Sequence, residues 1–331
     1  MRSRRLAGLV LALALLALLL VASIAIGSKE IPVRDIWPAL MHPDADDASL
    51  VVSGLRVPRT VLGLLVGAAL GVAGALIQAF TRNPLADPGI LGVNAGSALA
   101  VGIGIVVLGV HGIGQLLWLA LAGAIVATVL VYFVGTFGRG GATPVRMTLA
   151  GVGVGAVFAG ITSALALANP QRFQEMLGWS AGALVGPGLG TSEIIAPLVL
   201  AGIVIALAIS RDLNALGLGD DLAASLGSRA FATRGLAIVA VTLLAGAATA
   251  AAGPIGFVGL MVPHVARWIT GPDQRWIIAY SALLGPCLIL AADVLGRIAM
   301  RPAELPVGIV TAFVGAPILI LLARRSKASA L

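Results

Sequence analysis

Stretches of about twenty residues with almost no charge recur along the whole chain. They restrict what it can fold into more than any other feature. Residues 6–27 hold no charged side chain at all. A helix needs about 20 apolar residues to cross the ~30 Å hydrocarbon of a bilayer. Such a backbone must satisfy its own hydrogen bonds, which favours helices. Hydrophobic residues make up 59% of the 331, charged residues 11%, and mean hydropathy is +1.07. A soluble domain carries about 25% charge. The chain therefore reads as one all-α, polytopic membrane domain over 1–331, with about ten transmembrane helices.

The expected spans are 6–27, 57–80, 92–108, 114–137, 145–168, 191–209, 231–252, 256–270, 277–297 and 306–323. Glycines interrupt the third, and the eighth contains Pro263. Arg2, Arg4 and Arg5 precede the first run. A signal peptide has this order, but its apolar core is about 7–15 residues. This run is longer and reads as a retained span.

With the N-terminus in the cytoplasm, fourteen Lys and Arg fall inside and seven fall outside. Cytoplasmic loops carry such an excess. The formal charge of +7 therefore reflects orientation. Nucleic-acid binding is not expected, because no basic stripe is interleaved with aromatics. Cys287 is the only cysteine, so there is no disulfide framework or thiolate metal cluster.

Small residues crowd the spans. Gly63, Gly67, Gly71 and Gly74 stand in the second, and Gly151, Gly155 and Gly160 in the fifth. Such spacing lets helices approach closely in lipid. The stretch 67–74 matches 246–253 at an offset of 179, which also pairs Pro84 with Pro263 and Gly92 with Gly271. By the charge count the two halves run in opposite senses, which is an inverted internal repeat of the kind transporters use.

The polar residues are few. RDLNALGLGDDLAASLGSR (211–229) is an island between apolar runs, assigned to the cytoplasm. Asp220 and Asp221 suit a helix start and Gly227 a stop. It is either a solvated loop or a docking surface. Arg56 and Arg59 share one face of the first turn of the second span, with Arg297 on the same side. They read as interfacial anchors or as receivers of a partner's carboxylates. Asp293 stands four residues before Arg297, the spacing of a helical ion pair. TRNPLADP (81–88) cannot be continuous helix, because it holds two prolines. GRGGATP (138–144) is a second flexible turn, with Thr143 beside Pro144. His264 reads as a packing hydrogen-bonder rather than a ligand. No phosphate-binding GxxxxGK[ST] is present, so any nucleotide hydrolysis must come from another subunit.

With these stretches assembled, the chain resembles the FecCD family of ABC importer permeases. The matching segments are RVPRTVLGLLVGAALGVAGALIQAFTRNPLADPGILGVNAGSALA, LNALGLGDDLAASLG, GPIGFVGLMVPHVARWITGPDQR and AELPVGIVTAFVGAPILILL. The resemblance implies a BtuC-like permease fold and transport of an iron–siderophore, haem or cobalamin. It implies a second permease subunit, identical or related. It also implies two cytoplasmic ATPase subunits carrying ATP and magnesium, and an extracytoplasmic substrate-binding protein. The permease itself would need no cofactor and be no enzyme. Arg56, Arg59 and Arg297 would dock the binding protein. Asn83, Leu85 and Thr143 would form cytoplasmic gates, though the Gly140-Gly141-Ala142 run before Thr143 is looser than a gate implies. Leu213, Leu216, Leu218, Gly219, Asp220, Ala223, Leu226 and Gly227 would couple to the ATPase, with Leu216, Leu218, Ala223 and Leu226 making apolar contact. An ion-coupled secondary transporter is the main rival, but Asp293 is its only mid-membrane acid. A membrane enzyme would lack a nucleophile–base or metal constellation.

Overall fold

The computed structural model describes residues 2–42, 46–137, 144–184, 188–225, 227 and 229–324. Among these residues the regular structure is entirely helical. In chain order the α-helices are α1 (Arg2–Ala25), α2 (Val33–Met41), α3 (Asp47–Val51), α4 (Val57–Thr81), α5 (Val93–Val106), α6 (Ile113–Thr136), α7 (Pro144–Ala168) and α8 (Pro170–Ser180). Then come α9 (Gly190–Ala208), α10 (Ser210–Gly217), α11 (Asp220–Ser225), α12 (Ala230–Ala252), α13 (Val258–Thr270), α14 (Gln274–Ala299) and α15 (Val307–Arg324).

All ten expected segments are helical, with ends displaced by at most about four residues. Seven helical stretches are long and apolar enough to cross a membrane, among the described residues. Helices α5 and α13 hold only 14 and 13 residues, and the described apolar part of α15 is Val307–Ile320. Two elements were not expected from the sequence, α2 and α8. The second span also begins earlier than its apolar run. Helix α3 and a π-helical turn at Val52–Arg56 lead straight into α4, giving 35 continuous residues. At 1.5 Å per residue that is roughly 52 Å, longer than the hydrocarbon is thick.

Helix α4 is the most enclosed long element, packed by α14, α12, α13 and α9. Its glycine stripe explains this. A methyl on Gly67 would lie 2.5 Å from Pro286 Cα, and one on Gly71 or Gly74 would meet the carbonyl oxygens of Ser281 or Gly259. Helices α5, α6 and α7 form a second group, joined to the first through α12.

The offset repeat holds only in part. Gly92 and Gly271 both have left-handed φ, at 75° and 79°. Gly74 is inside α4, whereas Gly253 ends α12 with φ 73°. Pro84 lies outside any helix and Pro263 lies inside α13. Glycine and alanine are so common here that the sequence match pairs residues in unlike conformations.

Candidate docking and coupling surfaces

A helix leaves its last carbonyls unpaired, and these carry partial negative charge. At the end of α1 three arginines from elsewhere supply the donors. Arg56 Nη1 donates to the carbonyls of Ile24 (2.9 Å) and Ala25 (2.7 Å), and its Nη2 to that of Lys29 (2.5 Å). Arg297 Nη1 donates to Ser23 O (2.7 Å) and Ile26 O (3.0 Å). Arg301 Nη2 donates to Gly27 O (2.9 Å). Gly27 has no side chain because the Arg56 guanidinium lies against it: a methyl there would stand 2.5 Å from Nη2.

Arg56 and Arg297 are therefore interior side chains, 4% and 1% exposed. This revises the expectation that all three arginines face a partner. Cations expected on the outer side run against the orientation bias, and the capping of α1 gives them a structural role that charge counting does not show. Arg59 is different. Its Nε and Nη2 donate to Asp293 Oδ1 at 2.9 and 2.7 Å, while Nη1 donates to Glu304 Oε2 at 2.5 Å on the surface. The other carboxylate oxygen of Asp293 accepts from Arg297 Nη2. Asp293 is thus fully buried between two guanidinium groups, and it joins α14 to α4 as well as pairing along its own helix. Ser28 Oγ donates to Glu304 Oε1 at 2.7 Å. Burial alone would push the Glu304 pKa up. The bonds from Arg59 and Ser28, with the Arg59 and Arg297 charges, hold it below the ordinary glutamate value. Glu304 was not singled out in the sequence, where it is one acid in a short connection with no helical partner spacing.

The opposite end of α14 is also polar. Asp273 caps it, accepting from Arg275 N at 3.2 Å. The Asn214 side chain, from α10, bridges that cap: Nδ2 donates to Asp273 Oδ1 (3.1 Å) and Oδ1 accepts from Gln274 N (2.8 Å). Arg5 completes the cluster, 3.8 Å from Asp273 and donating twice to Thr270 O. The residues 211–229 thus begin as a helix fastened to α14 and α1.

This stretch is two short helices, α10 and α11, split at Gly219, whose φ is 115°. Gly219 O accepts the first bond of α11, from Ala223 N, so the capping position is Gly219 and Asp220 is the first helical residue. Gly227 is left-handed, with φ 81°. Leu213, Leu216 and Ala223 are buried within the chain. The i, i+3 spacing of Leu213 and Leu216 seats α10, and Ala223 turns α11 inward, rather than offering apolar contact outward. The exposed crest is Leu218 and Leu222, and Leu222 was not anticipated. Leu226 lies outside the described residues.

The segment expected to form a gate is an ordered turn. Arg82 ends α4 with φ 51°, Asn83 Oδ1 accepts from Leu85 N at 3.0 Å, and Leu85 is exposed at the tip. Just before it, Gln78 Nε2 donates to Leu260 O (3.1 Å) and Arg267 Nη2 donates to Gln78 Oε1 (3.2 Å), tying α4 to α13. Thr143 lies outside the described residues. His264 stacks edge-on to Trp268 at 4.8 Å, and its Nδ1 is buried without a partner, so it is not a hydrogen-bonder through that nitrogen.

A tightly packed helical core with charge gathered at two ends is the build of a polytopic membrane protein. The chain belongs to the FecCD transport family, whose model matches residues 15–325. It is 46% identical over 315 residues to the ferric enterobactin transport system permease protein FepD of Escherichia coli K12, covering 94% of each chain. It is 34% identical over 326 residues to the hemin transport system permease protein HmuU of Yersinia pestis, covering 95% of this chain and 94% of that one. The fold matches a solved inward-facing metal-chelate type ABC transporter with TM-score 0.83 and 26% identity, covering 95% and 97% of the two chains. The chain is thus a multi-pass ABC transporter permease, and its relatives are named as transport-system permease subunits.

Proposed function

We propose that the chain carries a ferric siderophore across the cytoplasmic membrane, with both termini in the cytoplasm. An extracytoplasmic binding protein delivers the chelate, and a separate ATPase drives transport. The observation that carries the substrate is the 46% identity, nearly end to end, with a ferric enterobactin permease. The mechanism is alternating access, in which each partner prefers one gate state. The crest of Leu218 and Leu222 meets the ATPase, and movement there reaches the turn of Asn83 and Leu85 and the segment holding Thr143. The binding protein docks at the end bearing Arg59. Arg56 and Arg297 hold that surface together from below.

A second permease subunit packs against α7. Both α1 and α7 are largely exposed, but their faces differ. Helix α1 presents Leu11, Leu18 and Val21, which suit lipid. Helix α7 sets Gly153, Ala156, Gly160, Ser163 and Ala164 among the exposed Leu149, Val152, Val157 and Leu167, with open space over Gly153 and Gly160. Small residues between larger apolar ones let another helix approach closely.

The test is uptake of iron-labelled ferric siderophores by cells carrying this permease with its ATPase and binding protein. Siderophore uptake supports the proposal. Uptake of haem or cobalamin instead, as the names of two relatives describe, would reassign the substrate. Transport in liposomes without the ATPase would favour ion coupling and sink the mechanism.

A further inference from the structure

The docking end contains an acid of its own, placed where a partner's acid would have to go. Arg59 is the only one of the three candidate docking arginines with an outward donor. Arg56 and Arg297 give their Nη groups to α1 carbonyls, Ser23 and Asp293. Arg59 gives Nε and Nη2 to buried Asp293, which leaves Nη1, and Glu304 occupies it. Both Glu304 bonds are exposed, one to Arg59 and one to Ser28. Glu304 sits in the connection between α14 and α15, outside either helix. The cleft beside it, of about 290 Å³, is lined by Lys29, Arg56, Arg59 and Arg297, with Glu304 as its only acid.

We propose that docking proceeds by carboxylate exchange: an Asp or Glu of the binding protein displaces Glu304 from Arg59. This rests on the docking reading above. Glu304 is then an internal competitor. Glu304 is the more open side of its pair with Arg59, 32% against 16% exposed, and ion pairs reached by solvent are weak and easily broken. The pair with Asp293 is buried, so the guanidinium stays aimed while its outer donor changes partner. The exchange lets the empty permease keep the outer donor of Arg59 paired. It also makes docking reversible, since the displaced acid can return and release the binding protein.

The experiment measures the affinity of the importer's binding protein for the full permease–ATPase complex in nanodiscs. The variants are Glu304→Gln, Arg59→Gln and the double substitution, each checked for folding by thermal melting. Exchange predicts that Glu304→Gln tightens docking about two- to five-fold, the scale of an exposed pair. Arg59→Gln weakens docking, and in its background Glu304→Gln has no effect. If Arg59→Gln weakens docking but Glu304→Gln leaves it unchanged or weaker, Glu304 merely positions Arg59 and exchange is overturned. If the tightening persists without Arg59, the effect is general charge and exchange is again overturned. If Arg59→Gln leaves affinity unchanged in a folded protein, the docking reading itself fails.

Discussion

Asp293 is the residue whose removal the structure makes most consequential. Its carboxylate accepts two bonds from Arg59 and one from Arg297, and it has no exposure. Arg59, Arg297, Asp293 and Glu304 together are neutral. Asp293→Asn keeps the shape and leaves one net positive charge, most of it on Arg297, which is 1% exposed. Breaking a buried pair from one side costs about 3–5 kcal/mol, because the orphaned charge stays buried. At roughly 2–4 °C per kcal/mol for a larger domain, Tm should fall by at least about 6 °C. The same logic predicts rescue. Arg297→Gln in the Asp293→Asn background restores neutrality, so the double variant should be more stable than the two losses summed, with a coupling of about 1–3 kcal/mol. Melting curves of the four proteins in detergent measure this. Strictly additive losses, or an unchanged Tm in Asp293→Asn, would refute the view that the acid is there to balance buried cations.

Three further predictions concern the same two ends. Gly27→Ala should push the Arg56 guanidinium off the α1 carbonyls, costing about 1–3 kcal/mol through overpacking; a crystal or cryo-EM structure of the variant with Arg56 unmoved would contradict this. Asn214→Ala leaves Gln274 N without its partner, while Asp273 Oδ1 keeps the bond from Arg275 N, so the stability of the isolated subunit should fall by only about 1 kcal/mol. Its ATP-driven uptake should fall severalfold, measured in proteoliposomes against unchanged ATPase binding. Glu304 is held below the ordinary glutamate pKa. Its pairing therefore contributes fully above about pH 4.3, and the contribution is lost as pH falls through the lower folded value. The difference in Tm between wild type and Glu304→Gln should accordingly be flat near neutrality and close in acid.

Helix positions were legible in the sequence because lipid enforces length and polarity together. Residue roles were less so. The pair of Asp293 and Arg297 could be read from i, i+4 spacing, since a helix fixes that geometry locally. The bond from Arg59 to Asp293 spans 234 residues and has no local signal. The capping of α1 by Arg56 and Arg297 was hidden for the same reason: the acceptors are backbone carbonyls, which leave no mark on side-chain identity. In 211–229 the apolar residues were visible, but a two-helix element this short has two apolar sides. Only tertiary packing decides that Leu216 faces inward and Leu218 outward. Elements α2 and α8, of 9 and 11 residues, are too short to register as spans, and the signal α8 does carry is Pro170 at its first turn, where proline favours a helix.

The glycines separate packing within a subunit from packing between subunits. Pro286 is near the middle of α14, and there α14 meets Gly67 on α4 backbone to backbone. Neither partner has a flexible side chain that could give way. Gly67→Ala should therefore destabilise the isolated subunit by about 1–3 kcal/mol, seen as a lower Tm, for a methyl with nowhere to go. Gly160→Ala meets open space on α7, and alanine is the better helix former by about 1 kcal/mol. It should leave the isolated subunit as stable or more so. If α7 faces a second permease, the same substitution should reduce the dimer fraction and transport, read by native mass spectrometry and uptake. A Gly160→Ala permease that dimerises and transports normally would assign that face to lipid.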